Sequence, residues 1–185
     1  MHDANVVHSD IKAANILLDK RRRAKVSDLG ASRVTRGLTG TSTMQATKGE
    51  GGAKGSPLWM APELVEDQNV AASMASDVYS FAITAWEVLT TRLPYHNELG
   101  EVVHDVLTLR AMNALVRGTL RPDLSAVRAD CPPALLVLLQ RCWQSEPRER
   151  PTMVATVAEI GRIMRGAEAA AAAAGAGALL GHVDE

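Results

Sequence analysis

A polar segment near the start of the chain constrains its structure more than any other feature. Residues 8–19, HSDIKAANILLD, place His8, Asp10, Lys12 and Asn15 at fixed offsets and then become apolar. Several chemically active side chains therefore lie close together just before an apolar run. This pattern indicates a functional loop that leads directly into a strand.

A short hairpin is predicted to follow this loop. Ile16–Asp19 is an apolar run, KRRR is a charged turn, and Ala24–Asp28 alternates between polar and apolar residues. Such a pattern predicts a strand, a turn and a second strand. The second strand would carry Asp28 back towards the polar loop.

The side chains of the loop and the hairpin suit phosphoryl transfer. This reaction needs a carboxylate that orients and deprotonates the attacking hydroxyl, a divalent metal on the phosphates, and positive charge near the migrating group. Asp10 would accept the hydroxyl proton, and Lys12 would reach the transferred phosphate. Asn15 offers a carbonyl oxygen to Mg²⁺, and Asp28 offers a carboxylate as a second oxygen ligand.

The remainder of the chain is expected to be helical. Residues 31–56 contain six glycines and no sustained periodicity, which predicts a flexible loop. Four helical stretches follow: one from Asp77, then Glu98–Val116, Pro133–Gln144, and one from about Pro151. The Ala- and Gly-rich residues 166–185 predict a disordered tail or a frayed helix. The expected fold class is mainly α with a small β-hairpin.

Two of these helices have apolar faces that can be assigned from periodicity. The helix from Asp77 has apolar residues at helical spacing and is expected to be buried on all sides, with Val88 on the buried face. Ser76 and Asp77 suit its N-terminus, as a cap and as an acid in the first turn. In the last helix the predicted buried stripe consists of Met153, Val157, Ile160 and Met164.

Three motifs in order resemble those of eukaryotic protein kinases. Residues 8–15, HSDIKAAN, resemble the H-R-D-L-K-x-x-N catalytic loop, residues 28–30, DLG, resemble D-F-G, and residues 61–63 read A-P-E. The stretch GSPLWMAPE, residues 55–63, is close to the G-T-P-x-W-M-A-P-E of the tyrosine-kinase-like group. The resemblance covers about residues 2–165.

The resemblance implies roles for individual residues. Asp10 corresponds to the catalytic base and Lys12 to the lysine on the γ-phosphate of ATP. Asn15 and Asp28 correspond to the ligands of Mg²⁺, and Leu17 to the residue beneath the adenine. The activity implied is phosphoryl transfer from MgATP to Ser or Thr hydroxyls of a protein substrate.

Further resemblances concern the scaffold around the site. Asp77 corresponds to a buried aspartate that holds the backbone of the catalytic loop, and Ser56 offers a hydroxyl to Asp10 and Lys12. Glu63 and Arg150 correspond to an ion pair that joins the activation segment to the helical body.

Two residues depart from the family pattern. Ser9 replaces the arginine that in the family pairs with a phosphorylated activation-loop residue, so switching by that route is not expected. Leu29 replaces the phenylalanine of D-F-G and is expected to fill an apolar slot against His8.

The resemblance also implies how the chain is organised. Residues 1–165 correspond to the C-terminal lobe of a kinase domain, and residues 31–56 to its flexible activation segment. The family's glycine-rich phosphate loop and its V-A-I-K lysine have no counterpart in these residues, so the N-terminal lobe is expected to be absent. The chain alone is therefore expected to be inactive, because positioning supplies most of the catalysis.

Two alternatives to an incomplete kinase remain at this point. The chain could act as a non-catalytic scaffold that offers Glu98–Val116 to a partner protein, or a small lobe on another chain could complement it. Composition narrows the partners further: net charge is −1, with 46% hydrophobic and 22% charged residues. We expect neither a nucleic acid nor a membrane partner, and a location in the cytoplasm or the nucleus.

Overall fold

The computed structural model describes residues 1–34, 56–95 and 108–180, with side chains up to residue 172. Most of the predicted activation segment and the first part of the predicted helix Glu98–Val116 lie outside these ranges.

Five α-helices and four short strands make up the described part of the chain, which is mainly helical as expected. The helices are α1 (Pro62–Glu66), α2 (Met74–Thr90), α3 (Leu109–Val116), α4 (Pro133–Cys142) and α5 (Met153–Leu180). The strands are β1 (Val6–Val7), β2 (Ile16–Leu18), β3 (Ala24–Val26) and β4 (Arg33–Val34). Among the described helices, none combines the length and the apolar character that a membrane span requires.

Helix α2 is the centre of the core. Tyr79, Ile83 and Trp86 are almost completely buried on it, and α4 packs against it. Burial of large side chains such as these stabilises the fold by roughly 1.5–3 kcal/mol each. The prediction of burial on all sides is wrong at Val88, which is exposed, because this position turns away from α4 and the loops packed on α2.

The N-terminus of α2 differs from the prediction. The cap is Ser73, three residues before the predicted one, and its hydroxyl accepts a hydrogen bond from the Ser76 N–H at 3.1 Å. Ser76 is not the cap but the third residue of the helix, and its hydroxyl accepts a hydrogen bond from the Ser73 N–H at 2.9 Å. This reciprocal capping box satisfies two N–H groups that the helix leaves unpaired.

The predicted hairpin is confirmed as β2 paired with β3, with Ile16 opposite Val26 and Leu18 opposite Ala24. A second antiparallel pair, β1 with β4, was not predicted. Its two strands precede and follow the polar loop and the hairpin in the chain, because β1 ends at Val7 and β4 begins at Arg33. Both strands are only two residues long, too short for an alternating pattern to reveal them.

Helices α3 and α5 differ from their predicted bounds and faces. Helix α3 begins at Leu109, where the Thr108 hydroxyl accepts from the Ala111 N–H as an N-cap. The earlier part of the predicted helix Glu98–Val116, residues 98–107, lies outside the described residues. In α5 the residues turned to the core are Met153, Thr156, Ile160 and Ile163, whereas Val157 and Met164 are exposed. Turning the helix about its axis by one residue position is enough to exchange the buried residues for the exposed ones.

Helix α5 extends through the Ala- and Gly-rich stretch as far as Leu180. Alanine has the highest intrinsic helix propensity, and it dominates this stretch. Residues 181–185 lie outside the described residues.

Candidate active site

A buried carboxylate of α2, Asp77, holds the start of the polar loop. Asp77 accepts hydrogen bonds from the His8 N–H at 2.7 Å and from the Ser9 N–H at 2.9 Å, and its Oδ2 also lies 2.9 Å from His2 Nε2. The predicted contact between Asp77 and the loop backbone is therefore confirmed. A carboxylate suits this place because it accepts from two adjacent N–H groups at once.

His8 is buried and holds the loop to the hairpin. Its Nδ1 accepts from the Asp10 N–H at 3.3 Å, so the proton lies on Nε2, which donates to the Ser27 carbonyl oxygen at 2.9 Å. Leu29, however, does not fill a slot against this imidazole, since its side chain is 59% exposed. Within the part of the chain that the structure describes, the predicted packing of Leu29 is wrong, because Leu29 lies in a 3-10 turn that follows Asp28.

Asp10, Lys12 and Ser56 form the polar centre of the site. Lys12 Nζ donates to the Ser56 hydroxyl at 2.6 Å and lies 3.1 Å from Asp10 Oδ2. The Ser56 N–H donates to the other oxygen of Asp10, at 3.1 Å. The chain thus brings together a carboxylate, an ammonium group and a hydroxyl from segments 46 residues apart.

The environment of Asp10 favours its ionised form. Partial burial raises its pKa, but the hydrogen bond and charge of Lys12 and the hydrogen bonds from Asn15 and Ser56 outweigh this, and the net pKa is lowered. Asp10 is therefore a carboxylate at neutral pH. Such a group can accept a hydrogen bond from a hydroxyl placed next to it.

Asn15 and Asp28 are brought near each other by the hairpin. The Asn15 amide donates to the Asp10 carbonyl at 2.8 Å and to Asp10 Oδ2 at 3.0 Å, which leaves its Oδ1 as an acceptor. The Asn15 carbonyl oxygen accepts from the N–H of Ser27, the residue before Asp28, at 2.8 Å. Asp28 is exposed and has a φ of 60°.

The donor atoms of Asn15 and Asp28 fit a hard cation. Both offer oxygen, the ligand type that Mg²⁺ prefers, and Mg²⁺ commonly keeps water and substrate phosphates as its other ligands. No cluster of three or more His, Cys, Asp or Glu that could hold a metal occurs in the described ranges. Asn15 and Asp28 are the residues of the site that could hold such a cation, with a phosphate as a further ligand.

Leu17 lies on β2 with its side chain 57% exposed, opposite Lys25. Leu17 follows Asn15 by two residues in the chain. An apolar side chain this exposed is available to a ligand or to another polypeptide.

The predicted ion pair between Glu63 and Arg150 is confirmed. The two side chains form a bidentate pair, with distances of 2.8 Å and 2.7 Å. Arg150 also donates to the carbonyl oxygens of Gln144, Ala75 and Ser145. This pair ties α1, which follows the Ser56 segment, to the start of α2 and to the loop before α5.

Glu87 contributes to the site but was not predicted. Its Oε2 accepts from the Ala13 N–H at 3.2 Å and from the Trp59 indole N–H at 2.8 Å. Ala13 lies in the polar loop, and Trp59 lies three residues after Ser56. The one available signal was an acid at position i+10 from Asp77 on a helix, which by itself indicates little.

A helical body centred on α2, with a loop of Asp10, Lys12 and Asn15 beside a two-stranded hairpin, defines a protein-kinase-like fold. Comparison with known proteins agrees with this class. A family model described as protein tyrosine and serine/threonine kinase matches residues 1–160. The chain therefore belongs to the eukaryotic protein kinase family.

Individual relatives are of the same type. The chain is 33% identical to serine/threonine-protein kinase STY17 of Arabidopsis thaliana over 165 residues, which is 89% of this chain and 25% of that protein. It is 31% identical to human receptor-interacting serine/threonine-protein kinase 1, over 82% of this chain and 22% of the relative. Dual specificity protein kinase shkD of Dictyostelium discoideum is 37% identical over 80% of this chain and 17% of its own length. The chain thus spans a quarter or less of these relatives.

Proposed function

We propose that these residues carry the catalytic loop of a Ser/Thr protein kinase, which transfers the γ-phosphate of MgATP to a hydroxyl of a protein substrate. The observation that carries the proposal is the arrangement of Asp10, Lys12 and Ser56 within hydrogen-bond distance of one another. It sets an ionised carboxylate beside a cation on a loop that α2 holds rigidly.

In this proposal Asp10 is the base that orients the substrate hydroxyl and accepts its proton. Lys12 places positive charge where the transferred phosphoryl group gains negative charge, which is the main way in which proteins accelerate this reaction. The contact of Lys12 with Ser56 keeps the ammonium group close to Asp10 before substrate binds.

Asn15 and Asp28 would hold Mg²⁺ through their oxygen atoms, and Leu17 would contact the adenine of ATP. When bound, Mg²⁺ neutralises phosphate charge and orients the phosphates. The role of this chain's own residues is to fix those oxygen atoms: the Asn15 amide through Asp10, and Asp28 through the pairing of Ser27 with Asn15.

We further propose that residues 1–165 correspond to the C-terminal lobe of the kinase domain. Their helical body, single polar loop and small hairpin support this assignment. The 185 residues alone would then transfer no detectable phosphate, since half of the positioning around ATP would come from other residues.

A non-catalytic interaction module is the second candidate, and exposed apolar side chains on the hairpin favour it. Leu18 is 66% exposed and Val26 is 50% exposed, in addition to Leu17. By the strand register, Leu18 and Val26 lie on one face and Leu17 on the other. Exposed apolar side chains on both faces are typical of a surface that another polypeptide covers.

Phosphate transfer by the protein made in its own cells tests the first candidate. We would introduce an epitope tag and Asp10→Asn at the chromosomal locus and measure transfer from labelled ATP to a mixture of Ser- and Thr-containing peptides. Asp3→Asn, an exposed acid outside the site, is the matched control. Transfer that persists in the control and is lost in Asp10→Asn supports the kinase proposal.

Two results would count against these proposals. Absence of Asp10-dependent transfer by the cellular protein would leave the interaction module as the better candidate. Asp10-dependent transfer by the purified 185 residues would refute the proposal that they need a further lobe.

A further inference from the structure

The face of α2 towards the polar loop carries a row of polar side chains. Asp77, Ser80, Thr84 and Glu87 follow at intervals of three or four residues, so they lie within roughly 80° of one another on a helix of 3.6 residues per turn. Each of them bonds outside α2, and not only within it. Helix α2 therefore holds other segments by side chains along its length.

This row contacts the polar loop at successive positions. Asp77 holds His8 and Ser9, the Thr84 hydroxyl donates to the Ile11 carbonyl oxygen at 3.3 Å, and Glu87 holds Ala13. The contact at Ala13 is the last of the series, and Ala13 is adjacent to Lys12.

The same row holds the Ser56 segment. The Ser80 hydroxyl donates to the Trp59 carbonyl oxygen at 2.8 Å, and the Trp59 indole donates to Glu87 at 2.8 Å. Trp59 is buried, so this indole N–H would be costly to leave without an acceptor.

Glu87 is the residue at which the two segments meet, because a single oxygen, Oε2, accepts from both Ala13 and Trp59. We propose that Glu87 is a positioning residue that sets the distance between Lys12 and Ser56, and so the arrangement around Asp10. This inference rests on the proposed function for its meaning in catalysis, but its geometry does not depend on ATP.

The proposal assigns Glu87 no contact with substrate or nucleotide. Its effect passes through Ala13 to Lys12 and through Trp59 to Ser56. The Lys12 Nζ and the Ser56 hydroxyl oxygen are 2.6 Å apart. If the shared oxygen is lost, Ala13 and Trp59 no longer donate to the same acceptor, and the contacts of Lys12 and Ser56 with Asp10 weaken.

The Ser56 amide reports this arrangement, since its N–H donates to Asp10 Oδ1 at 3.1 Å. A weaker bond to this carboxylate makes the Ser56 amide exchange faster with solvent. Glutamine at position 87 keeps an acceptor oxygen without the charge, so it separates loss of the shared acceptor from loss of charge.

The experiment uses the 185-residue protein and hydrogen exchange of the Ser56 amide followed by NMR. We expect Glu87→Ala to speed this exchange at least about tenfold and Glu87→Gln to leave it near the original rate, because glutamine keeps an acceptor oxygen. Glu66→Ala, which removes an exposed acid at the end of α1, is the matched control and should leave the exchange rate unchanged.

Hydrogen exchange of the Ala13 amide and the Trp59 indole is the second readout. Both should exchange at least about tenfold faster in Glu87→Ala, while the amides of His8 and Ser9, held by Asp77, keep their protection. If Glu87→Ala does not fold, Trp59→Phe replaces it, and the Ser56 amide should exchange faster in that variant also.

An unchanged exchange rate of the Ser56 amide in Glu87→Ala, or in Trp59→Phe where that variant replaces it, would overturn the proposal. Equal loss of protection at His8, Ser9 and Ala13 would also overturn it, because that result indicates general destabilisation. Neither readout involves phosphate transfer, so failure of the kinase proposal, seen with Asp10→Asn in cells, is distinguishable from failure of this one.

Discussion

Loss of Glu63 should be among the most destabilising single changes in this protein. The Arg150 side chain has no exposed surface, and the Glu63 side chain is 19% exposed. All five N–H groups of the Arg150 guanidinium have acceptors, two of them in Glu63 and three in backbone carbonyls. In Glu63→Ala, two N–H groups of a buried cation lose their acceptors.

The magnitude follows from these contacts. A hydrogen bond to a charged group contributes roughly 1.5–3 kcal/mol, so two such bonds amount to roughly 3–6 kcal/mol. Because the Glu63 side is partly exposed, water can enter after truncation and reduce the loss. We therefore expect a decrease of about 3–5 kcal/mol in the free energy of unfolding, the range measured when one partner of a buried ion pair is removed.

Urea denaturation followed by tryptophan fluorescence measures this change. With a slope of about 2 kcal/mol per molar urea, the midpoint should fall by roughly 2 M. Arg128→Ala, which breaks the exposed pair of Arg128 with Asp130, is the control and should not move the midpoint measurably. A loss below about 1 kcal/mol in Glu63→Ala would refute the reasoning, because it would mean that water already screens the pair.

Three further changes test other parts of the structure. Ser9→Gly should stabilise the protein by about 1 kcal/mol, since Ser9 has a φ of 72° and its buried hydroxyl finds no partner among the described residues; thermal denaturation checks this, and a lower midpoint would contradict it. Ser73→Ala should cost about 1 kcal/mol by removing the α2 cap, measured by urea denaturation against Ser125→Ala. Lys12→Met should raise the pKa of Asp10. The lowered pKa stabilises the fold above the ordinary value of 3.8, and this contribution is lost as pH falls through the lower one. A profile of stability against pH should therefore show a weaker acid-side dependence in Lys12→Met, and an unchanged profile would contradict this.

The sequence by itself determined the local parts of the protein. The loop with Asp10, Lys12 and Asn15 and the following hairpin could be predicted because their residues are neighbours in the chain, and short-range patterns reflect short-range structure. The family resemblance added Asp77 and the pair of Glu63 with Arg150, which no periodicity indicates. The roles of Asp10, Lys12, Asn15, Leu17 and Asp28 in catalysis stay predictions.

Only the tertiary structure decided which faces of the helices are buried. In α5 the core takes Thr156 and Ile163 and leaves Val157 exposed, although valine is the more apolar choice at that turn. The direction from which α4 packs sets this outcome, and the sequence of α5 alone does not contain it. The start of α2 is similar, since both Ser73 and Ser76 are good caps and only the path of the incoming chain selects Ser73.

The role of Glu87 depends most completely on tertiary structure. Its two partners are 74 and 28 residues away in the chain, and they meet at one oxygen only because α2 passes beneath both the polar loop and the Ser56 segment. A contact of this kind has no local periodicity, since it depends on how distant segments pack together. The residues proposed to carry the chemistry can therefore be predicted from the sequence, but the contacts that hold them in place are seen only in the folded protein.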